Sequence, residues 1–141
     1  MRFKTAEQAA QFDNLEHENP MLYGVLLAAD ALARERFGMS VLITSIHRTS
    51  QDPLGLHEHW RAADLRIFHP DRDPDNLERV DPTRQEWESI AATLNNCFNY
   101  GMTHDGRPTT VFKIRLASAG HHKDPLMDHV HCQVRRVGRW T

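Results

Sequence analysis

The sequence predicts an α+β domain built on a small, mostly antiparallel sheet with flanking helices, and three observations carry that expectation. Helical and strand-like periodicities interleave irregularly along the chain instead of alternating in regular units. The connections are too short for regular crossover helices, which favours antiparallel pairing. The length of 141 residues suits one domain that buries its core without disulfide staples, so a single domain over 1–141 is expected.

The first predicted element is a core helix from Pro20 to Phe37. Leu22, Val25, Leu26, Ala29, Leu32 and Ala33 recur at helical spacing, and Gly38 supplies the C-terminal stop. Val41 to Ser45 is short, apolar and β-branched, which predicts a buried strand, and the polar stretch Arg48 to Gly55 reads as a loop. Ala62 to Phe68 is the second strand. From His69 to Pro82 the chain is dense in Asp and Pro and reads as an exposed loop, after which Asp81, Pro82 and Thr83 offer a helix start for Gln85 to Phe98. Thr109 to Leu116 and His129 to Val137 complete the set as strands.

Composition narrows the function classes. With 40% hydrophobic and 26% charged residues the chain has the balance of a soluble globular protein. A formal net charge of -2 gives no bulk attraction for phosphate backbones, so nucleic acid is a poor partner. The N-terminal stretch from Met1 to Phe12 lacks the apolar run of a secretory signal and no segment approaches membrane-spanning length, so cytoplasmic synthesis without export and no membrane partner are expected. Cys97 and Cys132 have no zinc-knuckle spacing and read as small buried apolar residues in a helix and a strand. Asp71, Asp73 and Asp75 open like a calcium-binding EF-hand loop, but Asn76 stands where Gly is required and Pro82 where the bidentate Glu is required, leaving a solvated loop.

The functional signal lies in the ten histidines. His57 and Asp64 close the stretch Gly55-Leu-His-Glu-His-Trp-Arg-Ala-Ala-Asp64, and Asp128-His-Val-His131 follows near the C-terminus. Zinc accepts imidazole nitrogen and carboxylate oxygen, and a catalytic site uses three protein ligands. A carboxylate three residues before the last of them is available as a base. The late strand has a two-residue period that sets His129, His131 and Gln133 on one face and Val130, Cys132 and Val134 on the other, a polar face against a core face. Taken alone, a His-x-His pair is more often solvent-facing; His57 and Asp64 weaken that reading by completing a ligand set.

These residues resemble the zinc peptidases of bacterial cell walls, the D-Ala-D-Ala carboxypeptidases and the L-alanyl-D-glutamate endopeptidases of phage endolysins, which share the Hedgehog/DD-peptidase fold. In that family a Ser-Gly-Tyr-Arg-like strand end is followed by Ser-x-His-x-x-Gly-x-Ala-x-Asp, then by an acidic residue with a final His three positions on. Here the matching segments are Ile43-Thr-Ser-Ile-His-Arg-Thr49, His57 to Asp64 and Asp128-x-x-His131, within a similarity of element order over roughly residues 20 to 137. The resemblance implies a Zn2+ cofactor held by His57, Asp64 and His131. It implies Asp128 as general base, Arg48 as the substrate-orienting arginine, and His129 as an oxyanion-stabilising residue or one close behind the ligands.

The chain departs from the pattern at Gly55 for Ser, Trp60 for Gly, and Ile46-His47 for Gly-Tyr. A positive φ at the glycine position would strain a tryptophan, so a different turn is expected there, with His59 as an alternative partner for Asp64. His59, His121 and His122 otherwise read as surface residues. The resemblance implies a peptidase acting on peptidoglycan stem peptides, and the missing export signal fits a phage lysis enzyme better than a housekeeping carboxypeptidase. A cytoplasmic dipeptidase for D-Ala-D-Ala or similar small peptides is a second enzyme reading. The contrasting class is a non-catalytic member, a virion structural part or wall-binding module, with a closed four-ligand metal using His59 or His129, or with no metal.

Overall fold

The computed structural model describes residues 1–48, 60–68, 84–98, 112–115 and 129–134. The chain opens with a two-residue strand, β1 (Arg2–Phe3), and a helix, α1 (Ala6–Glu18). The α1 start is a capping arrangement in which Gln8 Oε1 accepts from the Thr5 backbone N–H at 2.9 Å. Phe12 and Leu15 are the α1 residues that reach the core. Asn19 ends this helix and begins the next, α2 (Pro20–Phe37); its Oδ1 accepts from Leu22 N–H at 3.2 Å while Pro20 takes the first helical position, where no N–H is needed.

Helix α2 is the central packing element. Leu22, Val25, Leu26, Ala29 and Ala33 are buried along one stripe, as their spacing predicts, and Leu32 packs at its edge. Gly38 closes it in the left-handed region at φ 61°, where its N–H reaches Arg34 O at 3.0 Å and the Met39 N–H reaches Ala33 O at 3.1 Å. Asp30, also buried, accepts from the Val41 N–H at 2.9 Å and pairs with Arg34 at 2.9 Å and the Met1 amino group at 3.2 Å. That carboxylate ties α2 to the first residues of the next strand.

Strands β2 (Ser40–Ser45) and β3 (Ala62–Phe68), helix α3 (Arg84–Cys97), and strands β4 (Phe112–Arg115) and β5 (His129–Gln133) follow. The sheet order is β1-β2-β3-β5-β4; β1 runs parallel to β2 and the other pairings are antiparallel. The α+β class and largely antiparallel sheet are therefore present, with β1 and α1 added to the expected elements. Alternate residues Val41, Ile43, Ala63, Leu65, Val130 and Cys132 join Phe12, Leu15, the α2 stripe, and Ile90, Ala91 and Leu94 of α3 in one core cluster. All three helices thus pack on one face of the sheet, and the intervening residues Leu42, Ala62, Asp64, Arg66 and His131, all buried, belong to the other face.

The two cysteines differ. Cys132 is buried as expected, and burial, with the negative charge of Asp64 as a smaller contribution, pushes its thiol far above the ordinary range. Cys97 is exposed, which corrects the reading of both as core residues: it falls in the last turn of α3, beyond Leu94, the final buried position of that helix. Among the described residues no helix is long and apolar enough to cross a membrane.

Candidate functional site

The site is built on the two strands at the middle of the sheet. Asp64 of β3 and His131 of β5 are direct cross-strand partners, so their side chains leave the same face side by side. His131 Nδ1 lies 3.0 Å from Asp64 Oδ1. Both residues are over nine-tenths buried, at 8% and 9% exposure, so the pair is shielded from the screening that weakens surface contacts. On the far side of the imidazole, Nε2 lies 3.1 Å from Gln133 Oε1.

A bulge in β2 brings in a third group. Ile43 pairs with Leu65, but Ser45 pairs with Asp64, so Thr44 is the extra residue, and its Oγ1 donates to the Asp64 carbonyl oxygen at 3.2 Å. The chain then turns off the sheet through Ile46 and His47, and Arg48 Nη2 comes within 3.8 Å of Asp64 Oδ2. With its side chain 49% exposed, Arg48 contributes little to stability through this contact; its charge borders the pair and faces solvent.

The approaches to that turn are anchored by the N-terminal helices. The Gln11 carboxamide from α1 makes both bonds that a neighbouring strand would make to His47: Nε2 donates to His47 O and Oε1 accepts from His47 N, each at 3.2 Å. Asn19 Nδ2 donates to Trp60 O at 3.0 Å. The His47 and Trp60 rings stack at 4.4 Å with an interplanar angle of 12°, fastening the two stems together.

Trp60 adopts φ 57°, the only positive φ of a non-glycine residue among those described. The tryptophan thus stands in the left-handed region where strain is expected of it, and it is held there by the Asn19 bond and the His47 stack; the turn that leads to it, 49–59, lies outside the described residues. Two of the residues noted as departures in the sequence, His47 and Trp60, are thus in contact with each other.

Of the residues singled out from sequence, Asp64, His131 and Arg48 are brought together. His129 begins β5 opposite Arg115, while His57, His59, Asp128, His121, His122 and the Asp71 to Asp75 loop lie outside the described residues. Among the described residues no group of three or more His, Cys, Asp or Glu converges on a metal position, which leaves Asp64 and His131 as the described pair of the three-residue set. The pair itself fits zinc chemistry. Ligand atoms on a tetrahedral zinc are separated by about 3.4 Å given bonds near 2.0–2.2 Å, so the 3.0 Å approach of Nδ1 and Oδ1 needs only a small opening to admit the ion. Gln133, Gln11 and Asn19 are site residues that sequence reading missed; strand parity put Gln133 on the right face, whereas the contacts of the other two span 36 and 41 residues.

No protein-family model matches the chain, and no curated protein or solved structure is significantly similar to it.

Proposed function

We propose that this protein is a zinc-dependent peptidase that hydrolyses peptide bonds in peptidoglycan stem peptides, of the D-Ala-D-Ala carboxypeptidase or L-Ala-D-Glu endopeptidase type, with a Hedgehog/DD-peptidase-like fold. The observation that supports it is the buried Asp64 and His131 pair at 3.0 Å, with Arg48 at its solvent edge. An imidazole and a carboxylate set side by side on rigid central strands are two ligands of the kind that the resemblance requires, and His57 supplies the third in this reading. A bound zinc ion supplies Lewis-acid polarisation of a carbonyl and lowers the pKa of water toward neutrality.

The chain's own residues have distinct tasks in this reading. Asp128, three positions before His131, accepts a proton from the attacking water and returns it to the leaving amine. Arg48, half-exposed and planar, receives a substrate carboxylate or peptide carbonyl through its guanidinium fork. His129 donates to the oxygen on which charge develops.

The test compares bound metal in wild type and His131→Ala and follows digestion of purified peptidoglycan by wild type and Asp128→Ala. About one zinc per chain, lost in His131→Ala, with cleavage lost in Asp128→Ala while zinc is kept, is the expected result. A wild type that binds no zinc, or binds it and leaves every wall fragment intact, replaces this reading with a non-catalytic virion part or wall-binding module.

A further inference from the structure

The imidazole of His131 is held from both sides, and the two sides make unequal demands. Gln133 presents its carboxamide oxygen, Oε1, to Nε2 at 3.1 Å. A carbonyl oxygen only accepts, so Nε2 is the nitrogen that carries the proton. In a neutral ring the other nitrogen, Nδ1, then keeps its lone pair, and that lone pair faces Asp64 Oδ1 at 3.0 Å. An ionised carboxylate also only accepts. Two acceptors in contact, in a place where both residues are over nine-tenths buried, are reconciled by a positive centre between them, either a second ring proton on Nδ1 or a metal cation that takes its place.

We infer that Gln133 is a positioning residue that fixes the His131 tautomer, accepting the Nε2 proton so that the Nδ1 lone pair is directed, beside Asp64 Oδ1, at a divalent cation. The inference rests on the zinc reading and adds a residue to it. Ring nitrogens that ligate a metal ordinarily have the opposite N–H engaged by a carboxylate, carbonyl or water, and loss of that partner weakens metal binding by about 10–100-fold. Gln133 supplies that partner from the same strand, two residues on, where the period of β5 returns to the same face. A carboxamide also leaves the local charge unchanged, so the net charge of the site is set by Asp64 and its neighbours.

The experiment measures zinc affinity by competition with a chromophoric chelator for wild type, Gln133→Leu and Gln133→Glu, with thermal midpoints of the metal-free proteins alongside. It adds the 15N and 1H resonances of His131 in the zinc-loaded wild type. Gln133→Leu keeps the size of the side chain and removes the acceptor; it is expected to bind zinc about 10–100-fold more weakly with an unchanged metal-free midpoint. Gln133→Glu keeps an acceptor and is expected to bind at least as tightly as wild type. The His131 spectrum is expected to show a proton on Nε2, slow to exchange with solvent, and a metal-shifted Nδ1. Equal zinc affinity in wild type and Gln133→Leu, or a ligating Nε2, overturns the role of Gln133 while leaving the zinc centre standing. A wild type with no zinc affinity overturns both. A loss of affinity in Gln133→Leu matched by a lowered metal-free midpoint, and not recovered in Gln133→Glu, marks Gln133 as structural and also overturns the inference.

Discussion

Replacing Trp60 by glycine and by alanine tests whether the turn before Asp64 stores backbone strain. At an ordinary position glycine is less stable than alanine by about 0.5–1 kcal/mol, because its unfolded chain is freer. At φ 57° the balance changes. Any residue with a Cβ bears about 1–2 kcal/mol of left-handed strain, which glycine does not. Subtracting the entropic term leaves Trp60→Gly more stable than Trp60→Ala by roughly 0.5–1 kcal/mol. Both variants fall below wild type, since loss of a half-buried indole stacked on His47 costs about 2–3 kcal/mol. Urea denaturation reads the difference: with a slope near 2 kcal/mol per molar, the two midpoints separate by about 0.3–0.5 M. Adding His47→Ala to each closes a cycle in which the wild-type stack contributes a coupling of about 0.5–1.5 kcal/mol. Alanine equal to or more stable than glycine would refute the strain at Trp60.

The other expectations concern separate parts of the molecule. Native protein treated with a chromogenic disulfide at pH 8 should release one thiol equivalent, from the exposed Cys97, and a second only on unfolding, because Cys132 is buried. The raised pKa of Cys132 means that its contribution is intact below the unfolded thiol value near 8.5 and is lost as pH rises beyond it, where the unfolded chain releases a proton that the fold retains. Wild type should therefore lose up to about 1.4 kcal/mol of stability per pH unit above that point relative to Cys132→Ala, measured by denaturation at pH 8 and 10. Asp30→Ala, which leaves the Val41 N–H without its acceptor, should cost about 1–3 kcal/mol, and Asp30→Asn less because an oxygen remains. Arg48→Ala should shift the urea midpoint by no more than about 0.5 kcal/mol equivalent yet abolish most wall hydrolysis under the proposed function; a large stability loss would make its contact with Asp64 structural.

Local chemistry made much of the scaffold legible. Pro20 and Gly38 bracket α2 because the first lacks a donor that is not needed there and the second tolerates φ 61°. Helix α1 escaped because only Phe12 and Leu15 are buried along it, too few to set a periodicity; the remaining cue was Thr5 with Gln8, a capping pair. Strand β1 is two residues long and is defined by its partners Leu42 and Ile43, which no local window contains. In the candidate site, residue type picked out Asp64 and His131, and strand parity set His131 and Gln133 on one face of β5. The mutual register of Asp64 and His131 was not legible, because it depends on which strands become neighbours: β5 inserts between β3 and β4. The clamps on His47 and Trp60 are long-range for the same reason.

The flanking residues show what the Asp64 and His131 pair costs the fold. Ala63 and Leu65 beside Asp64, and Val130 and Cys132 beside His131, belong to the core, so these strands readily accept apolar residues. Burying a carboxylate involves desolvation of several kcal/mol, which its partners only partly return, and apolar replacements of buried ionic groups together with their partners are often neutral or stabilising. In metal-free protein, His131→Val alone should be destabilising by about 3–5 kcal/mol, since it leaves the Asp64 carboxylate buried without its 3.0 Å partner. Adding Asp64→Val should recover most of that loss, because valine suits a central strand and no charge remains. Calorimetry in the presence of a chelator measures both. A double variant as unstable as the sum of the two single ones would show that the pair supports the fold in its own right. Recovery in the double variant shows that the fold has no need of it, and a buried acidic and imidazole pair kept against the stability of its own sheet is the expected signature of a binding or catalytic centre.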